Sequence, residues 1–193
     1  MPPRSRILPI HVALGVALAL LAACGATERR APVAVAAAAV EPEPTPERWI
    51  RVQKTERTLS LYEGPQLVKP YRVVLGKEPR RPKLYQGDHC TPEGEYHIVN
   101  KYVHPYWSRF MLIDYPTAMN LDVYGWSQEN LLIPHLNGAE PGPGGAIGIH
   151  GTYDEDLNRR GINWTEGCVS LYNADIDELY DLVAIGTRVV IEH

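Results

Sequence analysis

The sequence predicts a mainly β domain with one short helix near its C-terminal end. Period-two apolar pairs recur at Ile50/Val52, Leu59/Leu61 and Tyr96/Ile98. Compact apolar runs stand at 73–76 (VVLG), 110–113 (FMLI) and 146–149 (AIGI). Turn-forming clusters separate them at 63–65 (EGP), 91–94 (TPEG) and 141–145 (PGPGG). Side chains alternate faces along a strand, so this spacing buries one face of a sheet, and Gly and Pro mark where the chain must reverse.

The helix is expected after residue 172. Asn173 is placed to cap it, Asp175, Asp177 and Glu178 suit its N-terminal end, and Ile176, Leu179, Tyr180 and Val183 form one apolar face. Gly186 ends it, and TRVVIE at 187–192 reads as a closing strand. A weaker helical pattern covers Ser127–Leu136, with Pro134 to end or kink it.

This domain occupies 48–193. Arg4 and Arg6 precede an apolar run from Ile7 to Ala23, the layout of a secretory signal peptide over residues 1–23. The run is short for an uncleaved anchor, which needs about 20 apolar residues, and Pro9, His11 and Gly15 break it. It closes on Leu21-Ala22-Ala23-Cys24, which resembles a bacterial lipobox; lipid on Cys24 would tie the chain to a membrane facing the periplasm. Gly25, where aspartate would signal inner-membrane retention, favours the outer membrane. Residues 24–47 are rich in Ala and Pro, a composition that buries no core and serves as a tether.

Removing residues 1–23 takes away Arg4 and Arg6 and leaves 17 basic against 23 acidic side chains, a net charge of −6. That balance gives no sign of the basic face a nucleic-acid partner requires, and none is expected. Besides Cys24, the chain has Cys90 and Cys168, expected as free thiols rather than a disulfide even in an oxidising compartment. The acidic YDEDLNRR run at 153–160 reads as a solvated loop at the edge of the site and lacks the spacing of a calcium loop.

Residues 149–171, IHGTYDEDLNRRGINWTEGCVSL, hold the candidate chemistry. A nucleophilic cysteine needs a base, a group that orients the base, and amides that hold an oxyanion. His150 ends a strand-like run, a rigid place for a base. Gly151 lets its carbonyl curl toward Nδ1–H and leaves Nε2 free to accept the thiol proton. Backbone N–H groups around Gly167, Cys168 and Val169 are candidates for the oxyanion. Cys168 and His150 can equally be a small core residue and a structural histidine. Gly on the flank of each and the polar loop between them favour chemistry.

The same stretch resembles the signature of the L,D-transpeptidase (YkuD-type) catalytic domain. That family places a histidine followed by a small residue 14–17 positions before a Ser/Thr-His-Gly-Cys element. Here His150-Gly151 is followed, after 14 residues intervening beyond the histidine, by Thr165-Glu166-Gly167-Cys168. Asn173, Asp175 and Gly186-Thr187-Arg188-Val189-Val190-Ile191 are similar to the family's downstream helix and final strand, and GDHCTPEGEYHI at 87–98 to its upstream hairpin. The resemblance implies a β-sandwich-like fold and a cell-wall enzyme without metal or cofactor. It also implies acyl transfer at the diaminopimelate carbonyl of peptidoglycan tetrapeptide stems, with Cys168 as nucleophile, His150 as base and the Gly151 carbonyl as orienter. An amine or water resolves the acyl-enzyme, giving transpeptidation or L,D-carboxypeptidase or endopeptidase activity. The opposing reading is a catalytically silent peptidoglycan-binding module.

Two positions depart from the pattern. Glu166 stands for the family's second histidine, and Ser170 for an arginine often found two residues after the cysteine. A carboxylate at 166 is expected to disfavour thiolate, to hold a cationic acceptor amine, or to shape the loop; loss of the arginine removes a contact to an anionic substrate group. Thr165 and Trp164 complete the candidate substrate contacts, with packing the simpler role for Trp164. Arg109, Tyr115, Trp126 and His135 are candidates for a peptide groove. His89-Cys90 reads as a variable hairpin position, because adjacent side chains on an extended chain point apart.

Overall fold

A computed structural model describes residues 47–136 and 138–193. The signal peptide, Cys24 and almost all of the tether lie outside the described residues. Eight strands form one hydrogen-bonded series: β1 (Arg48–Gln53), β2 (Thr58–Glu63), β3 (Gln66–Arg72), β4 (Gly94–His104), β5 (Ser108–Ile113), β6 (Gly148–His150), β7 (Val169–Ser170) and β8 (Arg188–Glu192). Their order across the sheet is β3-β2-β1-β8-β4-β5-β6-β7. The mainly β fold with a helix after Cys168 is therefore the one expected.

The final strand lies in the middle. β8 pairs parallel to β1 through Ile50↔Val189 and Val52↔Ile191, and antiparallel to β4 through Tyr96↔Val189. Only β4 is long enough to serve both halves of the series: residues 94–97 pair with β8, and 98–104 pair with β5. The period-two residues are the ones that fill the core, with Ile50, Val52, Leu59, Leu61, Tyr96 and Ile98 at most 1% exposed. Burying each such aliphatic side chain contributes about 1.5–3 kcal/mol relative to leaving it in water.

Three helices accompany the sheet, and each departs from the sequence reading. α3 (Asn173–Leu182) lays Ile176 and Leu179 against β5 and β6, but Tyr172 is its N-cap and it stops before Gly186. Asn173 does not cap it, because its side-chain amide is claimed by both backbone groups of Thr152 (2.8 and 3.0 Å). The weaker helix lies earlier than Ser127–Leu136, as α1 (Ala118–Glu129), where the Thr117 N–H donates to Asn120 Oδ1 at 2.9 Å. Met119, Leu121, Val123 and Trp126 of α1 are exposed, so no apolar stripe announces it. The acidic run forms a short helix, α2 (Glu155–Arg159), capped by the Asp154 side chain on the Asp156 N–H, with Asn158 buried beneath it. The VVLG run makes isolated bridges through Val74 to Ser170 and Gly76 to Thr165 rather than a full strand.

Candidate active site

The two shortest strands carry the site. β6 ends on His150 and β7 begins one residue after Cys168; they run parallel with His150 opposite Ser170, while Phe110 of β5 faces His150 on the other side. Cys168 and His150 thereby line one cavity of about 740 Å³, walled by Trp107, Phe110, Tyr153 and Trp164.

His150 is buried, and its Nδ1 lies 2.6 Å from the Gly151 carbonyl. A carbonyl only accepts, so Nδ1 carries the proton and Nε2 is left as an acceptor. The imidazole stacks on Trp107 (centroids 4.4 Å) and Phe110 (5.5 Å), and Trp164 meets it edge-on at 5.6 Å. Burial pushes its pKa down to about 4, against the opposing pull of the Gly151 carbonyl; His104 adds a smaller downward push.

A chain of hydrogen bonds fixes that carbonyl. Trp164 Nε1–H donates to Asn158 Oδ1 (3.0 Å), Asn158 Nδ2–H to Ser170 Oγ (3.1 Å), and the Ser170 hydroxyl to the Gly151 carbonyl (2.9 Å). The Gly151 N–H donates to the Trp107 carbonyl at 3.0 Å. A Cβ at residue 151 would collide with Asn173 Oδ1 and with the Trp107 carbonyl oxygen (2.5 Å), which is why glycine stands there. Ser170, expected as a substrate contact, is fully buried in this chain and touches the orienting carbonyl instead. Trp164 anchors the same chain while also lining the cavity.

The loop before Cys168 is held from within. Thr165, also expected to touch substrate, is buried; its hydroxyl donates to the Cys168 carbonyl (2.7 Å) and accepts the Gly167 N–H (3.2 Å). Gly167 has φ +135°, and a Cβ on it would lie 2.8 Å from the Cys90 carbonyl oxygen. The Gly167 amide is thus occupied by Thr165, and Val169 sits in the β6–β7 ladder, so neither offers the free donor expected of it. The Cys168 amide makes no hydrogen bond to a described residue. Cys168 is partly accessible through the cavity, and its Sγ lies 3.7 Å from the Ala146 carbonyl. Burial pushes the thiol up to about 11, with the Gly148 backbone and Lys83 acting weakly the other way. At neutral pH Cys168 is a thiol and His150 a neutral imidazole, both facing the same cavity.

Glu166 does not raise the thiol pKa as expected. Its carboxylate turns to Lys77 on Oε1 and to His89 Nδ1 on Oε2, and the Lys77 hydrogen bond is the largest cause holding it below the usual carboxylate range. His89, read as a variable hairpin position, is therefore part of the site's surroundings. Its φ of +58° turns the side chain out of the extended geometry that would have pointed it away. Asp88 secures that turn by accepting from Lys83 and from the N–H groups of Leu84, Tyr85 and Cys90.

Cys90 is a buried free thiol whose Sγ donates to the Asp88 carbonyl, and burial pushes it up to about 11. The proposed groove residues do not reach the cavity. Arg109 pairs with Asp177 at 3.4 Å and lies over Tyr180; the buried Tyr115 donates to Pro143; Trp126 is exposed on α1; His135 faces Glu140. Trp107, Asn158, Lys77 and His89 are the neighbours that sequence reasoning missed.

Residues 47–191 match the model of the L,D-transpeptidase catalytic domain. The chain belongs to this family. The chain is 30% identical over 156 residues to YkuD of Bacillus licheniformis, covering 78% of this chain and 68% of that protein. YqjB of Bacillus subtilis is 26% identical over 145 residues, covering 74% and 70%. Among solved structures, the helical cell shape determining protein Pgp2 of Campylobacter jejuni superposes with a TM-score of 0.58 at 23% identity, covering 77% of this chain and 48% of that one. Bd1075 of Bdellovibrio bacteriovorus superposes with a TM-score of 0.52 at 21% identity, with the same coverage. The chain thus spans about half the length of these two structural neighbours, and at these identities the likeness is one of fold.

Proposed function

We propose that the protein is a peptidoglycan L,D-transpeptidase in which Cys168 is the nucleophile, His150 the base and the Gly151 carbonyl the orienter. The observation that carries this reading is a neutral imidazole whose Nδ1 is fixed on Gly151 and which shares a cavity with the Cys168 thiol. Nε2 takes the thiol proton as Sγ bonds to the diaminopimelate carbonyl of a tetrapeptide stem. The Cys168 N–H supports the resulting oxyanion. The C–N bond to the terminal D-alanine then breaks, and His150 returns the proton to the departing amine. An acceptor amine attacks the thioester and gives its proton to His150; the C–S bond then breaks, and His150 passes that proton to Sγ, restoring the Cys168 thiol and the neutral base.

The test is D-alanine release from a defined diaminopimelate tetrapeptide, with mass spectrometry of the products. Wild-type protein is expected to release D-alanine and form a cross-linked product when an amine is supplied, while Cys168→Ala does neither. Release undiminished in Cys168→Ala would sink the proposal. Hydrolysed product alone, with amine present, would replace the amine by water as acceptor. Carbapenem is expected to add its mass to the wild-type chain and not to Cys168→Ala; an unchanged wild-type mass, together with no D-alanine release, would mark a silent binding module.

The N-terminal pattern supports export and lipid attachment at Cys24, with the catalytic domain at 48–193 facing the periplasm from the outer membrane. Cells fed labelled palmitate are expected to label the wild-type protein and not Cys24→Ala. Label retained in that variant would count against the anchor.

A further inference from the structure

We propose that Lys77 is the anchor for a free carboxylate of the peptide substrate, held beside Cys168 by Glu166; this rests on the acyl-transfer reading above. Lys77 is the one lysine or arginine among the described residues lining the cavity, and Glu166 the one carboxylate. The remaining lining residues are aromatic, aliphatic or small and include no lysine or arginine, so a carboxylate entering the cavity meets full positive charge nowhere else. Ser170, two positions after the cysteine, is buried and its hydroxyl is already used on Gly151. Any cation that answers a substrate carboxylate must come from another part of the chain.

The backbone delivers Lys77 to that place. Its N–H donates to the Thr165 carbonyl at 3.0 Å, and Gly76 bridges Thr165 while donating its own N–H to Thr91 Oγ1 at 3.0 Å. The root of the lysine is thus joined to the loop that ends in Cys168. At the tip, Glu166 takes one of the three ammonium donors and leaves two for an incoming anion. About half of the side chain is exposed, so those donors are within reach of solvent and ligand. Holding the flexible lysine in advance reduces the ordering cost that a substrate would otherwise meet.

The charge balance decides which ion the cluster accepts. Lys77 faces Glu166 one to one, so the pair carries no net negative charge that would repel an incoming carboxylate. Glu166 has both oxygens engaged. A carboxylate gains from this arrangement, whereas an ammonium would have to displace a cation already in place.

The test measures binding, by calorimetry, of the full-length chain carrying Cys168→Ala. The probes are the tetrapeptide L-Ala-γ-D-Glu-diaminopimelate-D-Ala and three analogues, each with one carboxylate converted to an amide. One amidation is expected to weaken binding about threefold to tenfold, the range for a charge-assisted contact at a half-exposed site. With Lys77→Met added, that same amidation is expected to change nothing, and Lys77→Arg is expected to restore part of the discrimination. Equal binding of all four peptides, or discrimination that survives Lys77→Met, overturns the anchor even if wild-type protein still releases D-alanine. A chain that binds no tetrapeptide and releases no D-alanine overturns the anchor and the cell-wall reading together. Lys77 lies on the surface, and an unchanged melting temperature in Lys77→Met separates lost contact from lost fold.

Discussion

On one wall of the cavity Trp107, Phe110 and Trp164 close around His150; on the other, Lys77 and Glu166 pair at a half-exposed rim, with His89 against Glu166 from outside the lining. The two walls manage charge in opposite ways. The aromatic wall expels it: burial is the largest cause taking His150 down to about 4 and keeping the imidazole an acceptor. The charged rim retains it: Glu166 stays ionised because Lys77 binds it, and water screens what remains. A base that must be neutral and a substrate contact that must be charged need these different settings. The chain separates them by the width of one loop.

His150→Gln is expected to produce the largest effect, because it removes the proton acceptor from the aromatic wall while nearly preserving side-chain volume. D-alanine release should fall about 10²–10⁴-fold, the usual contribution of a positioned general base. Loss of the same size from Glu166→Gln would reverse the assignment of roles between the walls. The acid limb of the wild-type pH profile sharpens the same contrast. Protonated His150 cannot take the thiol proton, so activity should hold as pH falls past 6.5 and fade near pH 4. Trp107→Leu opens the stack and should move that limb upward, toward the ordinary histidine value.

The same shift predicts a stability change. His150 has a lower pKa folded than unfolded, so between about pH 6.5 and 4 the unfolded chain binds a proton that the native chain does not. Stability should be insensitive to this residue above 6.5, fall as pH drops through that window, and level off below it. The total contribution is on the order of 3 kcal/mol. Urea melts of wild type and His150→Gln across the window measure it as the difference in slope; parallel curves would mean the imidazole is not excluded from charge. Gly151→Ala strikes the joint between aromatic wall and base. A Cβ in the space held by Asn173 and the Trp107 carbonyl should cost about 1–3 kcal/mol in a thermal melt.

The sequence made one side of this comparison more legible than the other. His150, Gly151 and Cys168 lie within one short stretch, so their spacing can be read locally, although β6 and β7 are too short and too uniformly buried to show alternation. The aromatic wall needed the β4–β5 hairpin to fold Trp107 back over β6, and nothing near position 107 signals a histidine over forty positions later. Lys77 and Glu166 are 89 positions apart and meet through backbone bonds between two loops, which no periodicity records. His89 was misjudged for a specific reason: alternation describes extended chain, and His89 is in the left-handed region. Asn173 shows the converse. Its type and place suited a helix cap, yet Thr152 offered it two backbone partners and won. Polar residues are legible as polar, but which partner they choose is settled by tertiary approach.

The smallest expected effect tests whether the charged rim serves binding or the fold. Glu166 and Lys77 are both substantially exposed, and exposed pairs of this kind contribute about 0–1 kcal/mol. Glu166→Gln should therefore leave the melting temperature within about 2 °C of wild type for a domain of this size. It should nevertheless release Lys77 from its tether, so the effect belongs in KM rather than in kcat, and raised salt should shrink the difference between variant and wild type. A large loss of stability would make the rim a structural clamp on the Cys168 loop. A loss confined to kcat would draw Glu166 into the chemistry itself. With the pair stabilising little and touching no reacting atom, a change in KM that salt removes is the outcome consistent with a rim that recognises charge and an aromatic wall that excludes it.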